Sequence, residues 1–202
     1  MVNGVCAVMG QKVSSADEIV VDGKKVSTKQ VKPVLIAVNK PAGIVCTTAR
    51  FEGEKNIVDM VKYPTRIYPI GRLDKESEGL ILMTNLGDLA NEISKASNSH
   101  EKEYVVTVDK PITEEFIKQM SKGVKILDQV TRPCVVKKVN KHTFNIILTQ
   151  GLNRQIRRMC ETLGFKVQKL KRVRIMGVHL DNLPIGNYRN LTNSELDSLK
   201  KN

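Results

Sequence analysis

Residues Pro69 to Leu89 read PIGRLDKESEGLILMTNLGDL, and the organisation of the chain can be worked outward from this stretch. Gly71 to Asp74 has the composition of a tight polar turn. Leu80, Ile81, Leu82 and Met83 follow without a polar interruption, which predicts a buried strand over Gly79–Thr84. Asn85 to Asp88 then predicts a turn into a helix that begins near Leu89. A carboxylate on a polar turn in front of a buried strand, here Asp74, is held by the scaffold, as positioned chemistry requires. Taken alone, the same residue could as well cap its turn or pair with Arg72 or Lys75.

At 202 residues the chain can bury a core of ordinary size, with room for a small appendage. It contains no run of about 18 apolar residues and no charged-then-apolar leader, so a membrane span and a secretory signal are not expected. Four cysteines stand at 6, 46, 134 and 160 without a CxxC pair. The histidines, His100, His142 and His179, lie far apart, so neither a structural metal nor a disulfide framework is expected, and a reduced cytoplasmic protein is the simpler account.

The formal net charge of +12 is concentrated. Between Gly151 and Arg174 there are eight Arg or Lys residues against the single acid Glu161. A patch of this kind suits a polyanion. Tryptophan is absent and there are only four tyrosines and four phenylalanines, which argues against a surface of stacking aromatics for single strands.

Residues 1 to 32 predict a small unit. Val2-Asn3-Gly4-Val5 and Val20 to Val26 each set a Gly-containing turn between valines, the pattern of short hairpins too small to form a core alone. Lys29 to Pro33 is the expected linker. Beyond it, Val34–Val38 reads as a strand and Asn39 to Gly43 as a sharp turn carrying Lys40. Thr47 to Asn56 reads as a loop, with a helix over Ile57–Lys62. Leu89–Ala96 reads as a helix, Tyr104–Val108 as a strand, and Pro111–Met120 as a helix capped by Thr113 and closed by Gly123. Two strands are expected near Arg132–Val139 and Thr143–Thr149.

After Gln150-Gly151-Leu152, the residues Ile156, Met159, Cys160 and Leu163 recur at i, i+3, i+4 and i+7 and predict one apolar helix face. Arg154, Arg157 and Arg158 gather on a neighbouring face near the helix start. Three cations at the positive end of a helix dipole are mutually unfavourable, and an incoming phosphate or a resident carboxylate would resolve the conflict. Lys166–Val178 reads as a basic strand-turn-strand passage and Leu191–Leu199 as a C-terminal helix. Strands outnumber helices, which fits an α+β domain with a mixed sheet over residues 33 to 202.

Four patches in order, Asn39-Lys40-Pro41-Ala42-Gly43, Gly71-Arg72-Leu73-Asp74, Lys102-Glu103-Tyr104 and GLNRQIRRM from Gly151 to Met159, resemble the pseudouridine synthases of ribosomal RNA, in the small-subunit and B/E/F branch. The string HEKEYVVTVDKPITEEFIKQMSKGVKIL, His100 to Leu127, makes the chain most similar to the F type among the large-subunit enzymes. The resemblance implies a central, mostly antiparallel sheet in two halves with the active-site cleft across its middle. It also implies that residues 1 to 32 correspond to the final strands of an S4-like RNA-binding domain, so independent RNA binding by this segment is not expected.

The reaction implied is the isomerisation of a uridine to pseudouridine, which transfers no group to or from the RNA and needs no cofactor. Breaking N1–C1′ develops positive charge at C1′, where a carboxylate can act. The resemblance assigns this to Asp74, either by addition to C1′ or by removal of the 2′ hydrogen. It assigns Arg157 as the ion-pair partner that keeps Asp74 ionised, Tyr104 and Ile156 as the two faces that sandwich the uracil, and Arg72 as the residue that helps extrude the nucleotide. Read from the residues alone, Arg157 could instead contact phosphate or pair with Glu161. Lys40 is implied to contact the RNA backbone, or else to be an exposed lysine on a structural turn. Arg154, Arg158, Lys169, Lys171, Arg172 and Arg174 form the expected phosphate-binding rim. The substrate implied is large-subunit ribosomal RNA, with a tRNA anticodon uridine as a further target, and the enzyme is expected to act as a monomer.

Two other classes fit parts of this pattern. A glycoside hydrolase would need a second, water-activating carboxylate, and Glu76 and Glu78 read more simply as solvated turn residues. A noncatalytic RNA-binding or assembly protein would not need Asp74, Tyr104 and Arg157 together.

Overall fold

Asp22 and Gly23, with φ of 49° and 74°, turn the chain between β1 (Val20–Val21) and β2 (Lys24–Lys25). A two-residue hairpin loop with both residues at positive φ is the one that Asp-Gly favours. Asn3 and Gly4 do the same between Val2 and Val5. This first unit spans Met1–Lys32 and the second Pro33–Asn202. The computed structural model describes residues 1–14, 16–26, 32–94 and 100–200. Of the expected linker, Lys29, Gln30 and Val31 lie outside the described residues. Among those described in the first unit, Val2 is the one buried hydrophobic residue.

The second unit begins with β3 (Leu35–Lys40), then α1 (Ile57–Val61), whose start is capped by the Asn56 side chain accepting from the Asp59 N–H at 2.8 Å. Next come β4 (Tyr68–Ile70), β5 (Glu78–Thr84) and α2 (Gly87–Ser94). The helix expected over Leu89–Ala96 is described only to Ser94; Ala96 lies outside the described residues. β6 (Lys102–Val108) leads to α3 (Glu114–Lys122), which Thr113 caps by accepting from the Phe116 N–H at 3.1 Å. A small hairpin of β7 (Lys125–Ile126) and β8 (Gln129–Val130) precedes β9 (Val135–Lys138) and β10 (Thr143–Leu148). The chain ends with α4 (Gln155–Thr162), β11 (Val167–Ile175), β12 (Val178–His179), β13 (Tyr188–Asn190) and α5 (Asn193–Lys200). Among the described residues no helix is long and apolar enough to cross a membrane.

The sheet runs β13-β3-β5-β11-β6-β10-β9, with β4 added to β5 and β12 to β11. Every pairing is antiparallel except the central one, where β11 meets β5 in parallel at Lys171↔Glu78 and Arg172↔Gly79. This short seam joins the two halves of the mixed α+β sheet. Gly79 makes the close approach possible: its φ is +106°, and an added Cβ would collide with the Arg172 carbonyl oxygen.

The unbroken apolar run of β5 reflects burial on both faces. Ile81 and Met83 pack with Ile36, Val38, Ile57 and Ile67 on one side, while Leu80 and Leu82 pack with Ala37, Ala90, Ile93 and Val178 on the other. The second half has its own core, in which Phe116 and Met120 of α3 and Met159 and Cys160 of α4 cover Val106, Phe144 and Ile146.

The C-terminal helix is fastened by one ion pair. Arg189 donates from Nη1 and Nη2 to Glu195 at 2.8 and 2.7 Å, and Glu195 also accepts from the Thr192 N–H at 2.8 Å. The guanidinium first, and then that N–H, lower the Glu195 carboxyl from 4.5 to about 2. A depressed carboxylate stabilises the fold fully above the unfolded value and loses that contribution as pH falls through the folded one. Glu195→Gln should therefore cost about 1–2 kcal/mol at pH 7 after solvent screening. Melting curves followed by circular dichroism should show wild type and variant converging between pH 4.5 and about 2; a gap that does not change with pH would contradict this role.

Candidate active site

Asp74 sits just before β5, although the turn around it differs from the expected one. Leu73 is buried in the core, and the hydrogen-bonded turn begins at Asp74 instead of ending there, with the Ser77 N–H donating to the Asp74 carbonyl at 3.0 Å. The loop is fixed from below by Lys40. Its Nζ donates to the carbonyls of Pro41 and Ile44 at 2.8 Å each and to that of Lys75 at 3.3 Å. The Gly43 N–H meets the same Lys75 carbonyl at 2.7 Å. Lys40 is 0% exposed, which corrects its assignment to the RNA backbone. A short turn whose carbonyls all face inward needs a donor, and the lysine at the end of β3 supplies it. Burial, reinforced by Arg172 and opposed by Asp74, holds its ammonium below the ordinary lysine pKa.

A cavity of about 460 Å³ opens beside this loop. That is within the roughly 300–1,000 Å³ usual for small-ligand sites. It brings together Arg72, Asp74, Tyr104, Arg154, Ile156, Arg157 and Arg172. Tyr104 projects from β6 and packs against the core that contains Ile156 of α4. Arg72 is exposed, and its side chain has no partner among the described residues. Among those residues no cluster of three or more His, Cys, Asp or Glu side chains is placed to hold a metal ion.

Arg157 reaches the loop but not the carboxylate. Its guanidinium donates to the Glu76 carbonyl at 3.4 Å, to Ser77 Oγ at 3.3 Å and to the Val167 carbonyl at 3.4 Å, and no ion pair joins it to Asp74. The expected direct pair is thus replaced by a brace on Glu76 and Ser77, the last two residues of the turn that Asp74 opens. Arg154 occupies the residue before α4 with φ 50° and ψ 33°, an unusual backbone for a non-glycine residue. Its Nη1 meets Glu76 Oε2 at 2.9 Å, and that contact holds the Glu76 carboxyl below its ordinary range. Glu76 is the resident carboxylate that relieves the crowding of cations at the helix start.

The expected rim is redistributed. Arg172 is 4% exposed and is held by Nε donation to the Leu80 carbonyl at 2.7 Å, so it is a wall of the cavity and not part of a phosphate rim. The close β5–β11 seam turns it inward. Arg174 is committed to Glu101 and Glu103 at 3.0 and 2.9 Å, and Lys169 to Glu78 at 3.1 Å. Arg158 lies outside the cavity with its guanidinium on Asn153, and Lys171 likewise lies outside it; neither has an ion-pair partner among the described residues.

Among the cavity residues to which the sequence assigned no site role are Gln155, Ser77, His100 and Lys102. The last carries a visible signal, since it lies two residues before Tyr104 on one strand and therefore points to the same face. Burial, and secondarily Arg172, lowers its pKa from 10.5 to about 8.

Residues 34–162 match the family model described as RNA pseudouridylate synthase. The dual-specificity RNA pseudouridine synthase RluF of Escherichia coli (strain K12) is 55% identical over 201 residues, which cover 98% of this chain and 69% of that protein. The ribosomal large subunit pseudouridine synthase B of Bacillus subtilis (strain 168) is 37% identical, with 98% of this chain and 84% of that protein covered. The crystal structure of a pseudouridylate synthase matches with a TM-score of 0.80 at 29% identity, covering 98% of this chain and 87% of that one.

Lys40→Met removes a donor shared by three carbonyls and should destabilise the protein by about 2–4 kcal/mol in denaturant titration. The folded variant should keep the wild-type salt dependence of RNA binding. A reduced slope would return Lys40 to the RNA interface.

Proposed function

Since this chain belongs to the RNA pseudouridylate synthase family, we propose that the cleft isomerises a uridine of structured RNA through Asp74. The observation that carries the reading is the meeting, in one cavity at the seam of the sheet, of Asp74 with Tyr104, Ile156, Arg72 and the arginines of α4. Arg72, unpaired and exposed, helps to extrude the nucleotide. Tyr104 and Ile156 hold the uracil by its faces, which supplies the same contact in the starting and the product orientation.

Asp74 acts at the ribose, adding to C1′ or removing the 2′ hydrogen; both routes begin from the ionised carboxylate. The N1–C1′ bond breaks with its electron pair on the uracil; C5 then bonds C1′, displacing the Asp74 carboxylate on the first route or, on the second, as Asp74 returns the hydrogen to C2′, and C5 loses its proton to solvent while N1 takes one up. The positive charge of Arg154, Arg157 and Lys40 around the loop suits an anion at this point. Arg157 contributes by holding Glu76 and Ser77, so that the carboxylate does not reorganise as charge develops.

Arg72, Arg158 and Lys171 form the reduced phosphate rim, with Arg154 and Lys169 able to exchange their carboxylates for phosphate. Similarity to a protein named for the large ribosomal subunit supports ribosomal RNA as the principal substrate, and similarity to one named for dual specificity supports a second RNA target, which we propose to be a tRNA uridine. Such substrates place the work in the bacterial cytoplasm. We infer that the enzyme acts as a monomer and that residues 1–32 correspond to the end of an S4-like domain.

Tritium release from 5-tritiated ribosomal RNA fragments, with enzyme in excess, tests the chemistry. Wild type should release tritium, and Asp74→Asn should be inert while binding the RNA. Turnover by Asp74→Asn would remove that residue from the reaction, and binding without release by wild type would favour a noncatalytic protein. Replacing Arg158 and Lys171 together by alanine should reduce the slope of log affinity against log salt by about 0.7–0.9 for each phosphate no longer neutralised. An unchanged slope would place the RNA backbone elsewhere.

A further inference from the structure

One wall of the cavity carries polar groups that the steps at the ribose leave unused. Arg172, 4% exposed, has Nη1 at 3.4 Å from the Arg72 carbonyl and Nε on Leu80, while its Nη2 is buried without a partner. His100, also 4% exposed, has Nδ1 at 3.0 Å from the Ile93 carbonyl. A carbonyl can only accept, so the hydrogen of the neutral ring is on Nδ1 and Nε2 is an acceptor. That Nε2 is buried and unpartnered as well. Lys102 gives one hydrogen bond, to the His100 carbonyl at 3.0 Å, and has no carboxylate in ion-pair contact among the described residues. All three residues line the cavity that holds Asp74. Arg172 stands opposite Tyr104 in the sheet register, and Lys102 lies two residues before Tyr104 on the same strand.

An unsatisfied buried polar atom costs about 1–3 kcal/mol, and three residues that line this one cavity carry such an atom: Arg157 at Nε, on the side that braces the Asp74 loop, and His100 at Nε2 and Arg172 at Nη2, which point to a ligand that completes them. We propose that His100, Lys102 and Arg172 read the hydrogen-bonding edge of the extruded uracil: His100 Nε2 accepts from N3–H, and Lys102 Nζ and Arg172 Nη2 donate to the two carbonyl oxygens. This assignment rests on the reading that the uracil reacts beside Asp74. Uracil offers acceptor, donor, acceptor along that edge, and one acceptor with two donors is its complement. Cytosine would set a lone pair against Nε2 and an amino group against a cation, which selects against it.

The same three groups suit the turn of the base. A half-turn about the line through N3 and C6 exchanges N1 with C5 and, at the same time, one carbonyl with the other. The edge therefore presents an unchanged pattern before and after the exchange. The protein can hold the detached uracil in either orientation without rearranging, and each donor meets each carbonyl in turn.

The test is the coupling between side chain and base atom, measured by single-turnover conversion with nucleoside chromatography as the readout. The substrates are a ribosomal RNA fragment carrying the mapped uridine, or 4-thiouridine or 3-methyluridine in its place. Wild type should be about tenfold slower with 4-thiouridine, a poorer acceptor. Lys102→Met should be about tenfold slower with uridine and lose little more with the thio base, and Arg172→Lys should behave similarly. His100→Ala, which clears the space facing N3, should convert 3-methyluridine RNA faster than wild type does. RNA affinity by filter binding should stay within about twofold throughout, since phosphate contacts dominate it. Side-chain and base effects that simply multiply, with no gain by His100→Ala, would overturn the assignment while leaving the role of Asp74 intact. Failure of wild type to convert uridine would sink that role and this assignment together.

Discussion

The seam between β5 and β11 is the constraint on which the site depends. Two antiparallel halves of a sheet meet there in one short parallel pairing, and they come so close that the residue opposite Arg172 can carry no side chain. Gly79 supplies that position. The consequence runs in both directions along the strands. On the β5 side, the chain enters the seam directly from the Asp74 turn, so the carboxylate is delivered to the middle of the sheet. On the β11 side, Arg172 is turned inward, where its Nε finds the Leu80 carbonyl.

Around this seam the site is held by cations that never reach solvent as free charges. Lys40 gathers carbonyls from the turn after β3 and from the Asp74 loop, and Arg157 gathers a carbonyl and a hydroxyl from the same loop together with a carbonyl of β11. These are charge-assisted hydrogen bonds to backbone, which resist distortion more than contacts between mobile side chains do. A loop secured in this way can present a carboxylate without relying on a fixed ion pair, and Glu76 can meanwhile answer the cations at the start of α4.

Much of this was legible in the sequence because it rests on local patterns. The buried strand at Leu80–Met83 follows from an uninterrupted apolar run, α3 from Thr113 and Gly123 at its ends, and α4 from the recurrence of Ile156, Met159 and Cys160. The two hairpins of the first unit follow from Asn-Gly and Asp-Gly. The short strands β4 and β13 were not legible, since three residues have no periodicity and owe their conformation to a neighbouring strand. Burial of the long cations was equally hidden. Lys40 and Arg172 lie in basic or turn-like surroundings that read as surface, and only the tertiary arrangement brings carbonyls within reach of their ends. The set of cavity residues came from the family motifs, whereas the bracing role of Arg157 and the unpaired edges of His100 and Arg172 required coordinates.

The enclosure of Lys40 gives the loop an internal reporter. An ammonium with no exposed surface is shielded from amine-reactive reagents, whereas the lysines of the basic surface are open to them. Labelling at this position can proceed only when Pro41, Ile44 and Lys75 release it together, which is the same event that frees the Asp74 turn. The acylation rate of one side chain thus measures how often the Asp74 loop lets go of the sheet.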